Sequence, residues 1–119
     1  AARRMIPNLL SGTQPDPAVL KEFEANIHKA AEALGQLSSF EHYAYGDEFS
    51  LADVAAILNL PIVRDVGLRF LDEDPLSAVP GLDEYCGRME GRPHVQTVRA
   101  DAQADRAGFM AHLKALYGI

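Results

Sequence analysis

The stretch from Gly46 to Val54 reads GDEFSLADV and decides how this chain folds. Ser50 stands where a helix would begin, and Asp53 follows three residues later. At this spacing the serine hydroxyl accepts the N–H of the third helical residue, and the carboxylate of that residue accepts the N–H of the serine. Phe49 and Val54 flank the pair at the spacing of a hydrophobic staple. The segment therefore predicts a firmly fixed helix start at Ser50.

The residues that follow this start are almost all apolar. From Val54 to Val63 only Asn59 is polar. A helix that is apolar all round is expected to be surrounded by other helices, so this one is predicted to be the central, buried helix of the fold. Pro61 has no backbone N–H to donate to the carbonyl of Ile57, so we expect a kink or a break there.

Two helices are predicted upstream. Asp16 and Pro17 form an N-cap followed by proline at the first helical position, where its missing N–H costs nothing. Ala1 to Leu10 is predicted to be the end of an earlier helix whose inward residues include Met5 and Leu9. The helix that starts at Pro17 should run for about six turns. Its apolar residues recur every three or four positions, at Leu20, Phe23, Ile27, Ala30, Ala31, Leu34 and Leu37.

Three shorter helices are predicted downstream. Pro80 opens one that ends at Gly91, Pro93 opens the next, and a last one lies around Phe109 to Leu116 and stops at Gly118. Five to seven helices and no convincing strand make one all-α domain over residues 1–119, a helical bundle around a central helix. The residues expected to point inward are Leu82, Tyr85, Cys86, Met89, Val95, Val98, Phe109, Met110, Leu113 and Leu116.

Length, charge and cysteine content narrow the class of protein. The 119 residues suffice for one core. The net charge of −6, with no basic run longer than Arg3 and Arg4, argues against nucleic acid as a partner. The nearly apolar stretch from Ala55 to Val63 has nine residues, against roughly 20 for a membrane span, so no membrane insertion is expected. Cys86 is the single cysteine, which fits a reducing compartment and a cytoplasmic location.

Catalytic and metal-binding motifs are missing from the sequence. There is no phosphate-binding glycine loop, no zinc-protease helix and no nucleophile elbow. No two of the histidines have the spacing of three or four residues that aims two imidazoles at one metal, so no metal site is predicted. Asp72 to Asp74 lacks the spacing of a calcium loop and is expected to be a solvated acidic loop. The histidines are His28, His42, His94 and His112.

Two residues with reactive side chains favour structural roles. Cys86 lies on the predicted inward stripe of its helix, where burial raises the pKa of a thiol, so an inert cysteine is favoured over a reactive one. Ser50 and Asp53 have the residue types of half a catalytic triad, but a capping serine has its oxygen committed to the backbone. We therefore predict no catalytic residue in this chain.

Two motifs occur in a fixed order. The first is G-x-x-F-S-L-A-D-V, which starts at Gly46, and the second, about thirty residues later, is P-x-L-x-x-Y-x-x-R-x-x-x-R-P-x-V, which spans Pro80 to Val95. Together they resemble the C-terminal helical domain of the cytosolic glutathione transferase (glutathione S-transferase) family. The resemblance extends from Ala1 to about Ala104.

Individual positions carry the resemblance. The family's capping serine or threonine and its aspartate match Ser50 and Asp53, and its arginine-proline pair matches Arg92 and Pro93. The chain departs from the family pattern around Tyr85, where the family often has tryptophan and this chain has none.

The resemblance implies the second half of a two-part enzyme. In the family, an N-terminal thioredoxin-like domain binds glutathione and supplies the residue that stabilises its thiolate. The helical domain supplies much of the dimer interface and, mainly from its first helix, the wall of the pocket for a small hydrophobic electrophile. This makes Arg4, Met5 and Asn8 the substrate-pocket candidates, and it makes glutathione the co-substrate of a homodimeric parent protein.

The chain alone is therefore predicted to bind no cofactor or metal and to be inactive. Because it begins inside a predicted helix without a methionine, we expect it to be part of a longer protein. The alternative is a non-catalytic protein-interaction module with the same fold, as resembling domains are in translation-elongation subunits and some tRNA synthetases.

Overall fold

The computed structural model describes residues 2–119, apart from the side chain of Ala2. No strand occurs among these residues, and the all-α class is confirmed. Ala1, where the predicted first helix begins, lies outside the described residues. A 3₁₀ turn at Ala2–Met5 precedes five helices, which are α1 (Ile6–Ser11), α2 (Pro17–Leu37), α3 (Leu51–Phe70), α4 (Leu82–Glu90) and α5 (Pro93–Leu116).

Helix α2 begins where the sequence predicts. The Asp16 carboxylate accepts a hydrogen bond from the Ala18 N–H at 2.8 Å, and Pro17 is the first helical residue. Its fully buried side chains, Phe23, Ile27 and Ala31, lie four residues apart and form a narrow stripe. Ala30 and Leu37, expected inside, are exposed because they fall outside that stripe.

The core consists of two apolar clusters that meet at Val63 of α3, which packs against both. The first cluster joins the 3₁₀ turn, α2 and α3, and the second joins α2, α4 and the two loops that flank α3. The buried residues of the first are Met5, Phe23, Ile27, Val66 and Phe70. Those of the second are Ala31, Phe40, Leu76, Val79, Leu82, Tyr85 and Met89.

Helix α3 lies between these clusters, but only one of its faces is covered. Val66 and Phe70 are buried, whereas Leu51, Leu58 and Ile62 are 84%, 52% and 50% exposed. The prediction that other helices surround α3 on all sides is therefore wrong for this chain. The described helices pack against one side of α3 and leave apolar residues in water on the other.

Pro61 does not break α3, which continues without interruption to Phe70. The break expected at Pro61 is absent. The carbonyl that Pro61 leaves without an N–H partner accepts a hydrogen bond from another helix instead. Arg99 of α5 donates through Nη2 to the Ile57 carbonyl at 2.7 Å, and this is the carbonyl that Pro61 leaves without an N–H partner. Glu90 holds the same guanidinium, with Nη2 2.7 Å from Oε1.

The last two helices differ from their predicted bounds. Helix α4 begins at Leu82, two residues after Pro80, because Gly81 precedes it in a left-handed conformation with φ 75°. The two helices expected after Gly91 are one, since α5 runs without a break from Pro93 to Leu116. Its interior is rich in alanine and other helix formers, and nothing there stops the helix.

Only the beginning of α5 is covered by the bundle. Val95 is buried as predicted, but Val98 and Phe109 are each 55% exposed and Leu116 is 68% exposed. Their expected inward placement is wrong, because α5 extends past the residues that pack against its first turns. Within residues 2–119, no helix combines the length and apolarity needed to cross a bilayer.

We predict that Gly67→Ala destabilises the chain by about 2 kcal/mol, because it forces an overpacked contact. A Cβ at Gly67 would lie 2.3 Å from Pro75 Cδ and 2.9 Å from the Glu73 carbonyl oxygen. The matched control is Gly87→Ala in α4, where a Cβ meets nothing within 4 Å and alanine should stabilise by roughly 0.5 to 1 kcal/mol. Urea unfolding measures both changes, and equal stability of the two variants would contradict the prediction.

Candidate functional site

A buried carboxylate organises the start of α3 and the segments around it. Asp53 is 0% exposed. Its Oδ2 accepts the Ser50 N–H at 2.9 Å, and its Oδ1 accepts the Ala44 N–H at 2.9 Å and the Tyr85 hydroxyl at 2.7 Å. The predicted capping box is confirmed in both directions, and the Ser50 hydroxyl oxygen also accepts the Ala52 N–H at 3.2 Å.

The hydrogen bonds set the charge of this group. Burial raises the pKa of the Asp53 carboxyl, but the bonds from Ala44, Tyr85 and Ser50 outweigh that effect and hold the pKa below its ordinary value. Burial and the Asp53 carboxylate both raise the pKa of Tyr85. At neutral pH the network is therefore a carboxylate that accepts from a neutral phenol, and the Tyr85 proton is held in place.

Phe49 contacts two side chains from outside the helix start. Its ring meets the Tyr43 ring edge-on, with centroids 6.3 Å apart, and the Arg92 guanidinium lies 4.2 Å from the Phe49 centroid. Phe49 and Val54 are 40% and 39% exposed, and the staple between them stays a prediction. Arg92 is also the N-cap residue of α5, and this contact connects the start of α5 to the start of α3.

Arg88 of α4 fixes the loop that leads into the cap. Its Nη2 donates to the carbonyl oxygens of Phe40 and Glu41 at 2.8 and 2.9 Å. Phe40 is buried in a left-handed conformation with φ 53°, and its ring lies 5.0 Å from the Tyr85 ring. Nothing local in the sequence indicates this loop as the target of Arg88.

Cys86 lines an open cleft of about 220 Å³ between α3 and α4. Its walls are mostly apolar, and the charged residues among them are Arg64, Asp65 and Glu90. Burial raises the pKa of the thiol, although the Arg64 guanidinium opposes the shift. Little thiolate forms at neutral pH, in agreement with the expected inert cysteine. The cleft is smaller than the roughly 300 to 1,000 Å³ of most small-molecule pockets.

The three substrate-pocket candidates have different surroundings. The Met5 side chain is 0% exposed in the core. The Asn8 amide nitrogen donates to Thr13 Oγ1 and the Gln14 carbonyl at 3.2 and 3.1 Å and holds the turn after α1. Arg4 is exposed and forms an ion pair with Glu22 at 2.7 Å, beside a groove of only about 10 Å³. The structure does not bring the three side chains together around one cavity.

The sequence of this helical domain matches a known domain family. The family model for the glutathione S-transferase C-terminal domain matches residues 17–88, which is more than half of the chain. The chain belongs to this family. It is also similar to a glutathione S-transferase of Pseudomonas putida, with 23% identity over 113 residues that cover 95% of the chain and 51% of that relative. The chain thus spans about half the length of that relative. No solved structure matches the chain significantly.

This glutathione S-transferase C-terminal domain exposes an apolar surface along α3. Its members share one face of the helix at steps of three or four residues, and one of them, Leu51, is 84% exposed. We call this surface the α3 stripe and define it as Leu51, Val54, Leu58 and Ile62. Exposed apolar side chains grouped on one face of a helix are typical of interaction surfaces.

We predict that Asp53→Ala destabilises the chain by about 3 kcal/mol or more, because it leaves the Ala44 N–H, the Ser50 N–H and the Tyr85 hydroxyl without their acceptor. Ser50→Ala should cost about 1 kcal/mol, as expected for a lost cap. Urea unfolding followed by circular dichroism compares the two variants. Equal losses would show that Asp53 acts only as a cap.

The lowered pKa of Asp53 predicts how stability changes with pH. The unfolded carboxyl titrates near 3.8 and the folded one below it. The stabilisation is therefore fully present above the unfolded pKa and is lost as the pH falls through the folded pKa. Asp53→Asn has no such titration, so the difference in unfolding free energy between wild type and variant should shrink below pH 3.8. A difference that stays constant down to acid unfolding would contradict this.

Proposed function

We propose that the chain is the substrate-binding and dimerisation half of a homodimeric glutathione transferase, whose other half binds glutathione as co-substrate. The family match over residues 17–88 supports this most directly. The Pseudomonas putida relative, named a glutathione S-transferase, is about twice as long as the matched segment, which leaves room for a second domain.

The α3 stripe is the surface on which we place the glutathione-binding half. Four apolar side chains along three turns of one helix are exposed in this chain. Covering them with a second domain removes apolar surface from water, which is favourable. The start of α3 is held by the Asp53 network, so the stripe is presented on a rigid helix. A rigid apolar face can fix the orientation of a partner domain at small entropic cost.

The proposed chemistry divides between the halves. The glutathione-binding half lowers the pKa of the glutathione thiol, whose proton passes to solvent. The thiolate sulfur then forms a bond to a carbon of a small hydrophobic electrophile, and the leaving group, chloride in a chloronitroaromatic compound, departs with the electron pair of the broken bond. The helical half holds the electrophile beside that sulfur, which is catalysis by positioning. Cys86 takes no part, because burial raises the pKa of its own thiol.

Among the pocket candidates, Arg4 is the residue that we retain for contact with substrate. Its guanidinium is exposed on the 3₁₀ turn and pairs with Glu22, so it is the candidate that a ligand can reach from solvent. Met5 supports this turn from the core, and Asn8 holds the turn that follows α1. These two therefore act by positioning the first segment.

The test compares the 119-residue chain with the longer protein encoded by its gene. We expect the purified chain to show no conjugation of glutathione to a chloronitroaromatic electrophile above a buffer control, and the longer protein to show it. The assay is the absorbance of the conjugate. Turnover by the chain alone would contradict the division of chemistry, and a longer protein that neither binds glutathione nor turns over would favour a non-catalytic interaction module.

A pair of variants tests the α3 stripe within the longer protein. Leu58→Glu should reduce conjugation at least tenfold, because it places a charge between the two halves. Leu116→Glu is the matched control, since Leu116 is also exposed but lies at the far end of α5. Both variants should leave the melting temperature of the isolated chain unchanged. Equal activity of the two variants would show that the α3 stripe does not lie in the interface between the two halves.

A further inference from the structure

Three side chains from two distant segments meet on the outer surface of α2. Glu24 and His28 lie one helical turn apart on α2, and Glu73 comes from the loop between α3 and α4. One ligand atom from each side chain lies within 4.8 Å of the other two. The closest pair is His28 Nε2 and Glu73 Oε1, at 2.5 Å. We call these three residues the cation cluster.

The loop that carries Glu73 is fixed by its neighbours on both sides. Asp74 Oδ2 lies 2.8 Å from Arg64 Nε, and Asp74 Oδ1 accepts the Leu76 N–H at 3.0 Å. Pro75 and the Glu73 backbone pack directly on Gly67, where a side chain would not fit. Helix α2 holds the other two residues of the cluster, so all three side chains start from ordered backbone.

The donor set suits a borderline divalent metal ion. A neutral imidazole and two carboxylates supply one nitrogen and two oxygens with a combined charge of −2, and such a set suits Zn²⁺ better than Mg²⁺ or Ca²⁺, which prefer oxygen alone. Ligand atoms about 2.0 to 2.1 Å from a tetrahedral Zn²⁺ are about 3.3 Å from one another. The ligand atoms of the cluster lie between 2.5 and 4.8 Å from one another, a range that includes this separation.

We propose that Glu24, His28 and Glu73 form a binding site for a divalent transition metal ion, represented here by Zn²⁺. The ion would replace the proton between His28 and Glu73 and add Glu24 as the third ligand. All three residues are exposed, so water or a small anion can complete the coordination. A groove of about 480 Å³ beside His28 gives space for that additional ligand.

The prediction of no metal site considered pairs of histidines, and this cluster contains one histidine and two glutamates. Glu24 and His28 have the spacing of four residues that places two ligands on one helical face. The third ligand, however, is 45 residues away from His28, and its approach depends on how the loop packs on α3. The acidic loop is thus solvated, as expected, but it is also part of a mixed donor set.

Calorimetric titration of the tag-free 119-residue chain with Zn²⁺ tests the site. We expect one equivalent to bind and the melting temperature to rise, with no effect of Mg²⁺ at the same concentration. His28→Ala and Glu73→Gln should each weaken Zn²⁺ binding at least tenfold. Because these side chains lie at the surface, both variants should keep the circular dichroism spectrum of the wild type.

Two control variants separate this site from other donors in the chain. Glu32→Gln removes an exposed carboxylate one turn beyond His28, and Cys86→Ser removes the thiol. Both should bind Zn²⁺ with the affinity of the wild type. The proposal is overturned if no Zn²⁺ binds, if His28→Ala and Glu73→Gln bind as tightly as the wild type, or if Cys86→Ser abolishes binding. None of these results depends on whether the longer protein conjugates glutathione.

Discussion

The fold depends on one buried charge that must be satisfied by three segments at once. A carboxylate without exposure to water is costly unless hydrogen bonds replace its hydration. Asp53 obtains them from the loop before the helix at Ala44, from the helix cap at Ser50 and from α4 at Tyr85. If any of the three segments moved away, a charge or a polar donor would be left buried without a partner. The start of α3, the preceding loop and the position of α4 are therefore fixed together.

The sequence predicts those parts of the structure whose partners lie within a few residues. The capping box, the Asp16 cap and the arginine-proline start of α5 involve neighbours in the chain, and the structure has each of them. Interactions between distant residues leave no such local pattern. The bonds from Tyr85 to Asp53 and from Arg99 to Ile57 join residues 32 and 42 positions apart. The second of them overturned the expected break at Pro61, because the freed carbonyl found its donor in another helix.

Burial was the property that the sequence predicted least well, and α3 shows why. An apolar residue in a sequence favours burial, but it does not indicate which part of the protein covers the side chain. The α3 stripe is apolar because, in our proposal, the glutathione-binding half packs there, whereas the opposite face of α3 packs within this chain. For residues 2–119, the expectation that other helices surround α3 is wrong, because the residues of its stripe are exposed. On our proposal, the hydrophobic pattern corresponds to burial against the second half.

Helix α3 connects the two proposed surface sites. Its first turn carries Asp53 and the start of the stripe, while Gly67 near its end lets the loop with Glu73 approach closely. The helix continues through Pro61, so both ends belong to one helix. Between them, the hydrogen bond from Arg99 to the Ile57 carbonyl satisfies the group that Pro61 leaves without an N–H partner. A half-buried residue of α5 thus supports the helix that carries the stripe and the close approach at Gly67.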